Sequence, residues 1–154
     1  MKEALDNAKQ ELKRVDHLFY VSLKYTRTAD MMWHMIERLI NAFSFGVESL
    51  LKHAKEEKKI VEIPANPVMR CKLLLKNFTD EELTNYIDLY SKLRKIIKAD
   101  YSKREEYRRH VTMTSVMENG EIVEVNIDVL KDYYDLAKNF INYVERIIEG
   151  KEEE

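Results

Sequence analysis

Apolar residues recur at intervals of three and four along most of this chain, which is the pattern of helices that bury one face. Four long stretches carry such a stripe, and a shorter one lies between the second and third. Gly46 lies inside the second stripe, where it is expected to allow a close approach by a neighbouring helix. The stripes predict an all-α fold, an antiparallel up-and-down four-helix bundle with short extra helices. The predicted helices span about 2–25, 28–58, 66–77, 79–97 and 128–150.

Short local signals set the ends of these helices. Asn66 before Pro67 combines a cap with a first-turn proline, which starts the short helix. The stretches TDEE at 79–82 and SKRE at 102–105 are capping boxes. We therefore expect Thr79 to cap one helix and a further short helix to begin within 102–105. Asp128 is the expected cap of the last helix.

One segment, at 110–127, changes period from helical to alternating. Valines and threonines alternate on both sides of Asn119-Gly120, a pair that favours a two-residue hairpin turn. Such a turn sets Val116 opposite Val123 and Thr114 opposite Val125. The sequence thus predicts a β-hairpin before the last helix, packed on the helices or on a second subunit because an isolated hairpin is marginal in water.

The length and composition indicate one domain that does not need disulfide bridges or a structural metal for stability. The 154 residues include a single cysteine, Cys71, so no intramolecular disulfide can form and a reducing compartment is expected. No 18-residue apolar run and no signal-peptide core occur, so we expect a cytoplasmic protein that does not contact a membrane. Lys and Glu dominate the charged residues, as in many heat-adapted proteins. Residues 1–150 are interpreted as one domain and 151–154 as a charged tail.

Positive charge is concentrated in one segment of an acidic protein. Residues 92–110 hold eight Lys or Arg and three acids, a net charge of +5, although the whole chain carries −2. A patch of one sign favours an anionic partner such as RNA. Within it, an arginine and a histidine stand six residues apart. The candidate catalytic residues are Arg104 and His110, and the candidate phosphate-binding residues are Lys98, Lys103, Arg108 and Arg109.

These residue types suit RNA cleavage without a metal ion. Three arginines beside His110 disfavour its charged form, so a neutral imidazole could take the proton of a 2′-hydroxyl. The arginines would stabilise the phosphorane charge. In one continuous helix, however, Arg104 and His110 would point about 120° apart. Convergence would need His110 beyond the helix end, or a second chain. The alternative is a solvated basic helix end with no site.

The spacing of Arg104 and His110 resembles the R-x(4–6)-H motif of the HEPN superfamily (higher eukaryotes and prokaryotes nucleotide-binding). The stretches ALDNAKQELKRVDHLFY, VESLLKHAKEE and KADYSKREE are also similar to HEPN sequences. The resemblance implies a four-helix bundle that dimerises and a metal-independent ribonuclease site shared by two chains. It implies that Arg104 stabilises the phosphate and that His110 acts as the base. Glu105 departs from the Asn, Asp or His that often follows the arginine, and the hairpin elaborates the simple bundle.

Other chemistry and other functions were weighed against this one. No Glu-x-x-His pair occurs, so no metal or cofactor is expected, and Cys71 lies in an apolar stretch that does not suit a nucleophile paired with His110. The first alternative function is a non-enzymatic module that binds a protein through the hairpin 111–127 or the aromatic region 18–35. The second is a small-ligand or nucleotide-binding bundle with a cavity beside Trp33. Exposure of Trp33 would favour a contact surface.

Overall fold

The computed structural model describes residues 1–22, 28–104 and 111–150. Five α-helices and three β-strands follow one another within these described residues. The helices are α1 Lys2–His17, α2 Ala29–Glu56, α3 Pro67–Asn77, α4 Glu81–Lys98 and α5 Ile127–Glu149, and the strands are β1 Asp100–Arg104, β2 Thr112–Val116 and β3 Ile122–Asn126. A π-helical turn, Leu18–Ser22, extends α1. The predicted end of the first helix, at Tyr25, lies outside the described residues.

The four long helices pack side by side with alternating direction. Glu11 of α1 contacts Arg38 of α2, and Ser49 further along α2 donates to the carbonyl of Met1, so these helices run antiparallel. In the same way, the start of α2 contacts the end of α4, so these two helices run antiparallel. The start of α5 contacts the end of α1, and the end of α5 contacts the start of α4, so α5 runs antiparallel to both. The fold is mainly helical, as predicted. None of the described helices is long and apolar enough to cross a membrane.

Stacked aromatic rings fill the centre between α2, α4 and α5. The Phe43 ring lies between Tyr90 and Phe140, with centroids 5.7 Å and 5.1 Å away. Gly46 leaves space for the Phe140 ring, because a Cβ at position 46 would lie 2.5 Å from Phe140 Cε2. The predicted close approach at Gly46 is therefore confirmed.

Three of the predicted helix boundaries were wrong. The helix after 79–82 has Asp80 at its N-cap rather than Thr79, and no side-chain capping hydrogen bond forms there among the described residues. Glu82, the expected partner of Thr79, instead accepts from the Tyr86 hydroxyl at 2.8 Å. The last helix is capped by Asn126, whose side chain accepts from the Val129 amide at 2.8 Å, and not by Asp128.

The third boundary concerns the segment with Arg104. No short helix begins within the described residues 102–104, because Asp100–Arg104 is strand β1 and pairs antiparallel with β2. A capping box is a local signal, and here the ladder to β2 overrides it. The predicted hairpin is thus the outer part of a three-stranded antiparallel sheet with the order β1-β2-β3.

The predicted hairpin exists, but its register differs by one residue. Val116 pairs with Ile122 and Thr114 with Glu124, instead of Val123 and Val125. The loop has three residues, 118–120, because the Met117 amide donates to the Glu121 carbonyl at 2.8 Å and Gly120 has φ 86°. This is a turn followed by a left-handed glycine, which shifts the register relative to a two-residue turn. As a result, Val123 and Val125 face the core together with Met113 and Ser115, and the opposite face is exposed at its hairpin end, at Val116 and Ile122.

The sheet covers one end of the helices. β1 and β2 lie against α2, and β3 lies against α5. The start of α2 contacts the end of α4 beside the sheet, where Trp33 Nε1 donates to the Ile97 carbonyl at 3.2 Å. We call this end of the molecule, where α2 and α5 begin and α1 and α4 finish, the sheet end.

Candidate functional site

The predicted site residues that the structure describes, Lys98, Lys103 and Arg104, lie at the sheet end. Lys98 is the last residue of α4 and is exposed. Lys103 and Arg104 belong to β1, where they pair with Met113 and Thr112. Arg108, Arg109 and His110 lie outside the described residues, so their predicted roles stay predictions.

The pairing of β1 with β2 removes the assumption that Arg104 and His110 lie in one continuous helix. Arg104 is at the end of a strand rather than inside a helix, so the angle of 120° does not apply to it. Its paired residue, Thr112, is two positions after His110 in the sequence. Paired Cα atoms are about 5 Å apart in an antiparallel ladder, and two residues span at most about 7 Å. Chain connectivity alone therefore limits how far apart the two backbones can be.

A groove with two lysines runs beside the end of α4. Its volume is about 550 Å³, and we call it the lysine groove. Lys95 and Lys98 stand three residues apart on α4 and so share one wall. Asp100, Val116, Glu118 and Asn119 line the rest, so the hairpin loop forms the opposite wall. Lys95 was not among the predicted site residues, although its i, i+3 spacing to Lys98 is visible in the sequence.

Two other cations of the basic segment point elsewhere. The Lys92 ammonium lies over the Tyr133 ring, 5.8 Å from its centroid. The Arg94 guanidinium lies 5.4 Å from the centroid of Tyr90. The four cations at 92–98 therefore lie on different faces of α4, and of these four only Lys95 and Lys98 line the groove.

A second groove lies on the other side of Ala99 and Asp100, which line both. Its volume is about 720 Å³, it is open to solvent, and we call it the aromatic groove. Trp33, His34 and Tyr101 supply its rings, with Asp30 at its edge. The hydrogen bond from Trp33 to Ile97 fixes the indole, and the His34 ring stands edge-on to it at 5.3 Å. The Tyr101 hydroxyl donates to Asp30 Oδ1.

Trp33, whose exposure would favour a contact surface, is half-buried. Its side chain packs against the core, which fits a structural role, yet part of it lines the aromatic groove. The cavity beside Trp33 expected of a small-ligand bundle is an open groove rather than an enclosed chamber. Tyr20, in the same predicted 18–35 region, is 69% exposed, and Tyr25 lies outside the described residues.

Cys71, His53 and His34 have surroundings that suit structural roles. Burial raises the pKa of the Cys71 thiol, which disfavours the nucleophilic thiolate. His53 is buried with its Nε2 2.5 Å from Glu57, and the His34 ring lies 3.9 Å from Glu37. Within 1–22, 28–104 and 111–150, no three His, Cys, Asp or Glu side chains gather as a metal site would require.

Comparison with protein-family models, with curated proteins and with solved structures found no match. The HEPN resemblance therefore rests on the residues quoted above.

Proposed function

We propose that the chain is an HEPN-like four-helix bundle that binds RNA at the sheet end and is a candidate metal-independent endoribonuclease, acting as a homodimer. The observation that carries the proposal is the placement of Arg104. It ends strand β1, whose partner strand β2 begins two residues after His110, and the other end of β1, at Asp100, lines the groove of Lys95 and Lys98. Strand β1 therefore connects Arg104 to the groove that holds two further cations.

The alternating direction of the four long helices also supports this proposal. HEPN domains are antiparallel four-helix bundles, and α1, α2, α4 and α5 alternate in direction. In this arrangement α3 and the sheet are additions to the bundle. The sheet would lie beside the site that two chains share.

The proposed reaction needs only a base and cations. His110 would take the proton from a 2′-hydroxyl, and the 2′-oxygen would attack the neighbouring phosphorus. The bond to the 5′-oxygen would break, leaving a 2′,3′-cyclic phosphate and a 5′-hydroxyl that takes its proton from solvent. Arg104 would stabilise the negative charge on the phosphorane.

Cleavage of single-stranded RNA in the presence of a chelator tests this assignment. His110→Ala should abolish cleavage while changing the free energy of unfolding by less than about 1 kcal/mol, as expected of a surface site. His17→Ala is the matched control, because His17 is an exposed histidine at the end of α1 and should leave cleavage intact. Equal cleavage by both variants would remove His110 from the mechanism. A large loss of stability in His110→Ala would make that histidine structural.

One observation favours a second function, a non-enzymatic module that binds a protein. Val116 and Ile122 pair directly on the open face of the sheet and are 51% and 63% exposed. Two exposed aliphatic side chains at one hairpin tip are typical of a contact surface. If Val116→Thr combined with Ile122→Thr abolished binding of a partner protein while RNA binding persisted, the interaction role would be independent of the RNA site.

A further inference from the structure

The aromatic and lysine grooves form one continuous surface of two chemical types. Both are lined by Ala99 and Asp100, the residues between α4 and the rest of β1. Rings lie on one side of this boundary and lysines on the other. Single-stranded nucleic acids are bound by this combination, since bases stack on aromatic rings and cations follow the phosphates.

The rings of the aromatic groove are held in place before any ligand arrives. Trp33 is fixed through its Nε1 on the Ile97 carbonyl, 3.2 Å away, at the end of α4. Tyr101 is fixed by β1 pairing and by its hydroxyl on Asp30. A preformed stacking surface loses little conformational freedom on binding, which favours affinity.

Asp30 adds a hydrogen-bond acceptor to the lining of the aromatic groove. Its carboxylate accepts from the Tyr101 hydroxyl. A base that stacks on Trp33 and presents adjacent N–H donors would be favoured there. Guanine presents two such donors, N1–H and N2–H, on one edge, whereas uracil presents a single N–H between two carbonyls.

We propose that the aromatic groove binds a guanine base of single-stranded RNA while Lys95 and Lys98 contact the adjoining phosphates. This inference rests on the proposed function and names the sequence preference of that RNA site. Trp33 contributes the stacking surface and Asp30 the base selection. Neither takes part in the chemistry assigned to Arg104 and His110.

The single tryptophan makes the test specific, because all indole fluorescence of the chain comes from Trp33. A 12-nucleotide oligouridylate would be compared with the same RNA carrying two central guanosines, by fluorescence quenching and by anisotropy of a labelled strand. The guanosine strand should quench Trp33 and bind about tenfold more tightly, about the effect of one added hydrogen bond to a carboxylate, because stacking alone tolerates any base. The Asp30→Asn variant should lose most of this preference, and Trp33→Leu should remove it while keeping binding to oligouridylate.

Tyr20→Ala is the matched control, because it removes an exposed aromatic side chain from a different depression, lined also by Asp16 and Lys131. It should leave the preference unchanged. Equal binding of the two RNAs without quenching would overturn the inference and leave the proposed function standing. If neither RNA bound, both would fail. Because Asp30 is exposed, the fold should tolerate the Asp30→Asn substitution, so the preference would still be measurable if the Trp33→Leu protein misfolded.

Discussion

Single residues decide how closely the helices approach, and Gly46 is the sharpest case. Alanine favours a helix over glycine by about 1 kcal/mol. A Cβ at this position would nevertheless lie 2.5 Å from Phe140 Cε2 and 3.0 Å from Ile141 Cδ1, and both side chains are buried. The Gly46→Ala variant should therefore be less stable by about 1–3 kcal/mol, measured by urea denaturation. In Gly150→Ala, where no described atom lies within 4 Å of the new Cβ, stability should hardly change. A stabilised Gly46→Ala protein would contradict the packing described for α2 and α5.

Two buried serines differ in whether their hydroxyls are satisfied. Ser115 Oγ on β2 is buried without a hydrogen-bond partner in the described part of the chain, whereas Ser49 Oγ donates to the Met1 carbonyl at 2.9 Å. An unsatisfied buried hydroxyl costs about 1–3 kcal/mol. The Ser115→Ala variant should thus match or exceed the wild-type free energy of unfolding, and Ser49→Ala should lower it by about 1 kcal/mol. Destabilisation of Ser115→Ala comparable to that of Ser49→Ala would reveal a hydrogen bond at Ser115.

Two tyrosines make stability sensitive to alkaline pH. Burial, and then the hydrogen bond to Glu82, raise the pKa of Tyr86 to about 12. Burial, and then the charge of Asp16, raise the pKa of Tyr134 to about 12 as well. An unfolded tyrosine titrates near pH 10, so the unfolded chain loses these protons first. The stabilisation is therefore complete below pH 10 and is lost as the pH rises from about 10 to 12.

The measurement is the urea midpoint from pH 8 to pH 12 for the wild type and for the Tyr86→Phe, Tyr134→Phe double variant. The wild type should lose stability more steeply above pH 10 than the double variant, which has no phenol to ionise at these positions. Parallel curves for the two proteins would show that neither phenol is protected by the fold.

At the scale of elements, the register of the hairpin depends on one glycine. Gly120 adopts φ 86°, a left-handed conformation that glycine reaches without strain, and the Asn119 side chain accepts from the Glu121 amide at 2.9 Å. Gly120→Ala should cost about 1 kcal/mol, whereas Gly120→Asn should cost less because asparagine tolerates this conformation. Thermal unfolding of the two variants provides the measurement. Equal stability of Gly120→Ala and wild type would indicate that the loop can adopt the two-residue turn.

Helices could be predicted from this sequence because their signals are local. The stripes located α2 and α3 closely, Asn66 was the predicted cap of α3, and Thr28, which caps α2, was one of two candidates beside Asp30. The strand β1 could not be predicted, since its residues form a capping box and become a strand only by pairing with β2. The hairpin register was wrong by one residue because Asn119-Gly120 occurs in turns of two lengths, and the sequence does not choose between them.

The candidate site was predicted in part, for the same reason. Lys98 stood out in the basic segment, and Trp33 in the aromatic one. That the two lie on adjoining grooves depends on the antiparallel packing of α2 and α4, which joins residues 64 positions apart. The separation of Lys92 and Arg94 from Lys95 and Lys98 depends on which rings of neighbouring helices lie beside each cation.

At the scale of the whole molecule, alternating helix directions bring distant segments to the sheet end. The finish of α4 and strand β1 bring Lys95, Lys98, Lys103 and Arg104 to that end in a protein with a net charge of −2. An anionic partner would be attracted to that end and repelled by most of the remaining surface. The proposed RNA site is therefore a property of the assembled fold rather than of any one helix.

Binding of single-stranded RNA at low and high salt tests this account most directly. We expect affinity to fall by at least about tenfold between 50 and 200 mM salt, with a smaller salt dependence when Lys95 and Lys98 are both changed to alanine. The matched control changes Lys52 and Lys55, an exposed lysine pair of the same spacing towards the other end of α2, and should behave as wild type. Affinity that does not change with salt, or an equal effect of the two double variants, would contradict an RNA site at the sheet end.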